Sequence, residues 1–193
     1  MEIRNENDLL NAFNPILNDA IQEVADKILD ILWDFIKEDV YDSYSHPSVY
    51  QRADSEHNFL NSWINSIEQK GRRKEIIATI FNSPRLMSLD SDHYVHGSPE
   101  SHDFRAHLAE AIEEGLGGHY WFPEYRKDGS KNPAYEERPF FSDTIKYLER
   151  NGYLFKLFEQ AMAKRGLYVH RNYSGNFGGY TVAMRLLNYG LDD

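Results

Sequence analysis

The chain has 193 residues, no cysteine and a formal net charge of −10, with a pI of about 5.2. That length suits one domain able to bury roughly 70% of its unfolded surface, and the missing cysteines exclude disulfide scaffolds, Cys-ligated zinc and thiol nucleophiles. The acidic balance argues against a nucleic-acid-gripping face, and no apolar run approaches the roughly 20 residues of a membrane span.

In chain order, the first predicted element is a helix from Asn7 to Glu38. Leu17, Ala20, Ile21, Val24, Ile28, Ile31, Leu32 and Phe35 recur at steps of three and four among polar residues, the pattern of a core-facing stripe. Pro15 lies near its front, so the regular helix is expected to start there, with Asn14 as N-cap. The polar, partly acidic opening Met1–Asp8 lacks the basic start of a signal peptide, so synthesis and folding in the cytoplasm are expected.

Residues 38–58 form a tyrosine-rich connector with Pro47. Aromatic rings with a polar tip suit protein contacts, and equally a loop folded over its own domain. Three strands follow by pattern, Phe59–Ile67, Lys74–Phe81 and Asp92–His96, the second dense in β-branched residues. The basic run Lys70-Gly71-Arg72-Arg73-Lys74 reads as the charged tip of the first hairpin, whose turn begins at Gln69.

A second helix is expected over Ser98–Leu116. Ser98 or Ser101 can cap it, Glu100 and Asp103 favour its positive end, and Gly115 or Gly117 can stop it. Its apolar stripe is Phe104, Leu108, Ala111 and Ile112. Residues 117–137 carry turn signals throughout and exceed normal connections, which marks a functional arm. Ser142 then caps a helix reaching Arg165, kinked at Asn151-Gly152, with Ile145, Leu148, Leu154, Leu157, Phe158, Ala161 and Met162 inward. Beyond Gly166, Leu167–His170 and Tyr180–Met184 flank a glycine-rich turn, the pattern of a hairpin that extends the sheet. The fold class is α+β: a small, mainly antiparallel sheet with long helices from the N- and C-terminal regions on one face.

Sites for chemistry are sparse. His93 and His96, near His102 and Asp103, would point to opposite faces of a strand, and tetrahedral zinc needs convergence; polar loop histidines are the simpler account. The pairs Glu113-Glu114 and Glu136-Glu137 diverge on their elements and read as solvated. The Ser, phosphate-loop and zinc-protease motifs have no counterpart here, and Gly175-Asn176-Phe177-Gly178-Gly179 lacks the lysine of a phosphate loop. The expectation is a protein that is not an enzyme and needs no cofactor or metal.

One ordered set of motifs points further. Val40-Tyr41-Asp42-Ser43-Tyr44-Ser45-His46-Pro47-Ser48-Val49-Tyr50-Gln51-Arg52 is followed by Leu60-Asn61-Ser62-Trp63-Ile64, and later by Arg138-Pro139-Phe140-Phe141 ahead of the closing helix. Over residues 8–166 this order resembles the tail-completion (neck) proteins of long-tailed bacteriophages. Ala53 stands where that family usually has Thr, and Phe141 where it has Leu.

The resemblance implies a structural virion protein in the head–tail neck, with 1–166 as the neck-like domain and 167–193 as an added hairpin. It implies a ring of copies that meets the connector or stopper on one side and the tail tube or terminator on the other. DNA would pass without specific binding, and no membrane is involved. Candidate interface residues are Tyr41, Tyr44, Tyr50 and Arg52 in the connector and Trp121, Phe122 and Tyr125 in the long loop. Arg138, Pro139 and Phe140 would set the entry angle of the last helix. Two other readings stay open: an acidic cytoplasmic binding module of inhibitor or immunity type, and a tail-tube terminator in place of a neck protein.

Overall fold

The computed structural model describes residues 6–42, 59–70, 75–87, 108–115, 129–131 and 136–169. Over these residues the chain is α+β, with one long N-terminal helix, a closing helical pair and a two-stranded sheet. It divides into two compact units, one holding 6–30, 65–80 and 146–169 and the other 31–64 and 81–145 among the described residues.

Helix α1 spans Glu6–Phe35 and continues as a π-helical turn, Ile36–Tyr41. It begins well before Pro15, which lies inside it. Asn14 is therefore an interior residue, 7% exposed, and not the expected N-cap. Proline has no N–H to give to the carbonyl of Asn11, four residues back. The turns on either side continue regardless, because an amphipathic helix is held chiefly by its packed face.

In the first unit that face buries Ala20, Val24 and Ala25, and helix α4, Tyr153–Ala163, buries Leu157, Ala161 and Met162. Glu23 of α1 takes Lys164 and Arg165 as ion-pair partners, and Arg165 also donates to the backbone oxygens of Asp19 and Ala161 at 2.8 and 2.7 Å. Strands β1, Trp63–Lys70, and β2, Glu75–Asn82, form the sheet; a four-residue connection permits only the antiparallel arrangement. Asn65 of β1 is gripped from α1, accepting from Gln22 at 3.1 Å and donating to Asp26 at 2.8 Å.

In the second unit the core is Leu32, Ile36, Val40, Phe59, Trp63, Ala109, Ile112, Phe140 and Phe141. The first strand starts four residues later than the sequence pattern suggests. Leu60–Ser62 is a 3-10 turn, tied by Ser62, whose hydroxyl donates to the Phe59 carbonyl at 2.6 Å and accepts from Asn82 Nδ2 at 2.6 Å. Helix α2 is Leu108–Glu113, halted at Gly115, whose φ of 70° is the left-handed geometry of a C-terminal stop. The expected strand at 92–96, the front of the second helix with its serine caps, the residues after Lys70 in the first turn, and the expected hairpin from His170 onward lie outside the described residues; the first part of that hairpin, Leu167–Val169, is described and is not in a strand.

Helix α3, Phe140–Glu149, starts two residues before the expected cap at Ser142. The kink falls where the sequence places it: Asn151 and Gly152 are both left-handed, at φ 56° and 65°, across a 3-10 turn that separates α3 from α4.

Candidate functional site

Among the described residues of the second unit, the Arg-Pro-Phe-Phe corner is densely hydrogen-bonded. Pro139 fixes the backbone direction into α3. Arg138, 5% exposed, donates its backbone N–H to the Ile112 carbonyl at 3.0 Å and a guanidinium N–H to the Glu136 carbonyl at 3.1 Å. The Glu136 carboxylate stands 3.6 Å from the same guanidinium.

The free N–H groups at the start of α3 are met from another helix. Glu113, the last residue of α2, accepts from the backbone N–H of Phe141 at 2.9 Å and of Ser142 at 3.0 Å, and from the Ser142 hydroxyl. A carboxylate there satisfies orphan donors and meets the positive end of the helix dipole, a contribution of about 1 kcal/mol for a cap of this kind. This corrects two expectations: Ser142 is not the cap, and Glu113 is not a solvated member of a diverging pair. Nothing in the local sequence signals a cap donated across 28 positions.

Below this corner four aromatic rings interlock. Phe140 packs edge-on against Phe59 at 5.7 Å and Trp63 at 5.8 Å between centroids, and Trp63 meets Phe59 and Phe141 at 6.0 Å each. Edge-to-face pairs of this kind add about 0.5–1.5 kcal/mol each beyond area burial. Phe140 is fully buried, which anchors the first turn of α3 in this core. The indole N–H of Trp63 is buried without an acceptor.

Of the candidate interface residues, Tyr41 is the one inside the described residues. It ends the π-helical turn, half-buried, and its hydroxyl accepts from the Leu60 backbone N–H at 3.2 Å. Part of its bonding capacity is therefore spent on its own unit. Tyr44, Tyr50, Arg52, Trp121, Phe122 and Tyr125 lie outside the described residues, as do His93, His96 and His102. On the same turn, Asp39 has a buried Oδ2 with no hydrogen-bond partner. Burial above all, and then Asp143, Glu38 and Glu113, hold its carboxyl above the ordinary value of 3.8.

Among the described residues no group of three His, Asp or Glu side chains is placed to hold a metal. In the first unit, exposed aromatic rings among the described residues lie on and just after the last two helices. Tyr147 is 43% exposed and stacks edge-on with Tyr153 at 5.2 Å, and Tyr168 is 81% exposed. Tyr168 falls in the first half of the hairpin expected from the sequence, while Tyr147 and Tyr153 carried no expectation. Tyr147 and Tyr153 lie six residues apart on either side of the kink, a spacing that brings no two side chains together on an unbroken helix.

Within the second unit the corner is held by hydrogen bonds over an aromatic core. A family model described as YomN matches residues 5–164. No curated protein and no solved structure matches the chain.

Proposed function

We propose, from the premise that this chain belongs to the YomN family and is phage-related, that it is a structural protein of the head–tail connection of a long-tailed phage. In this reading it joins the connector to the tail tube as one copy in a ring, and it acts by docking, without turnover of a ligand.

One observation carries the reading. The family match, 5–164, and the neck-protein motif order, 8–166, cover nearly the same stretch of chain. The corner at 138–142 adds to it, since the motif that ends that order is built as a rigid entry to the closing helices. Ring closure needs many copies to make one heterologous contact about an axis, which rewards stiff elements and punishes loose ones. The net charge of −10 suits a channel wall that repels phosphates and lets the duplex slide.

The test is the phenotype of particles made without the gene. Electron microscopy of a deletion strain should show DNA-filled heads and separate, complete tails, with joining restored by the gene in trans. Intact, infectious particles from the deletion strain would overturn the reading.

A further inference from the structure

The front of α1 and the Ile67–Gln69 stretch of β1, both in the first unit, frame an open groove of about 440 Å³, within the roughly 300–1,000 Å³ range of ligand sites. Its polar lining is Asn11, Asn14, Asn18 and Asp19 from the helix and Gln69 from the strand, with Ile67 beside it. Steps of three and four place the three asparagines on one helix face.

Asn14 supplies the second observation. It is 7% exposed, it lines the groove, and its Nδ2 is buried with no hydrogen-bond partner. A buried donor left in that state is costly, and the carboxamides that an occupant can reach are those of Asn11 and Asn18 beside it. A carboxamide offers both a donor and an acceptor, so a group of them suits the backbone of an extended polypeptide. The Asp19 carboxylate asks in addition for one positive charge.

The chain itself contains a segment with this chemistry. Tyr180-Thr181-Val182-Ala183-Met184-Arg185-Leu186-Leu187 is strand-like in composition, and Arg185 is the one charged residue between Asn172 and Leu191. In an extended segment the period of two puts Thr181, Ala183 and Arg185 on one side. Two small side chains and a guanidinium then match the carboxamides and the carboxylate.

We infer that this groove receives residues 180–187 of a second copy, with Arg185 on Asp19. The inference rests on the ring reading above: a closed ring of identical chains requires a donor patch and a different acceptor patch on each copy, and segment and groove are such a pair.

A chain without cysteines makes the test direct. Full-length Asn18→Cys and Ala183→Cys proteins are mixed and oxidised, and a disulfide-linked dimer is expected. Asp19→Arg in the first protein should cut its yield about tenfold, and Arg185→Asp in the second should restore it. Lys156→Cys, exposed on α4, should give no dimer in place of Asn18→Cys. The inference falls if no dimer forms, if its yield ignores the charge at position 19, or if Lys156→Cys serves equally well. It also falls if a chain carrying both Asn18→Cys and Ala183→Cys closes only on itself. A missing cross-link alongside separated heads and tails in the deletion strain would remove the groove contact alone. Intact particles from that strain would remove the neck reading itself.

Discussion

Two carboxylates respond to their surroundings in opposite directions. Glu23 is held below the ordinary value of 4.5 by its hydrogen bonds to Lys164 and then Arg165. The stability it contributes is present above that value and is lost as pH falls through its lower folded-state pKa. Both basic partners are partly exposed, at 66% and 24%, so the contribution is the small one of surface pairs. Asp39 is the reverse case. Its folded-state pKa is raised, so the folded chain holds a proton that the unfolded chain releases, and stability declines as pH climbs from 3.8 through the raised value. Asp39→Asn removes the charge and supplies a donor toward the neighbouring Asp143 and Glu113 carboxylates. Thermal melts of the variant should show a higher Tm than the parent at pH 7, with the gain closing as pH is taken below 3.8. An unchanged difference across that range would mean that charge is not the cause.

At the scale of elements, the joint between α3 and α4 rests on an unusual backbone geometry. Asn151 and Gly152 adopt consecutive left-handed conformations, which glycine adopts freely, asparagine tolerates through its short polar side chain, and other residues reach only at a cost of roughly 1–2 kcal/mol. Gly152→Ala should destabilise the protein by about 1 kcal/mol, read as a shift in denaturation midpoint. Asn151→Gly, which keeps the backbone geometry open, should change it far less. Equal effects would show that the joint relaxes into a continuous helix. Asn-Gly between two apolar runs announced this joint in the sequence, because the punctuation is local. The start of α3 was not announced: Pro139 marks a boundary, but the cap that makes Phe140 helical comes from Glu113 on another helix. Asn14 failed for the related reason that a proline usually opens a helix, whereas here the helical turns continue on both sides of Pro15.

For the whole molecule, charge gives the plainest prediction. With 31 acidic against 21 basic residues, the protein should not retain duplex DNA at about 0.15 M salt, where phosphate neutralisation drives non-specific affinity. Retention on a DNA column under those conditions would contradict the repelling-wall role. Among the described residues no helix is long and apolar enough to cross a membrane.

The amino-acid order alone determined the α+β class, the amphipathic face of α1, the β-branched hairpin and the kink at 151–152, since each follows from periodicity or turn chemistry within a few residues. Tertiary structure decided the rest: the cap from Glu113, the stacking of Phe59, Trp63, Phe140 and Phe141, the hydroxyl contact of Tyr41 and the groove around Asn14. Each of these joins residues some twenty to eighty positions apart, and no local pattern encodes which distant partner a folded chain will bring within bonding distance.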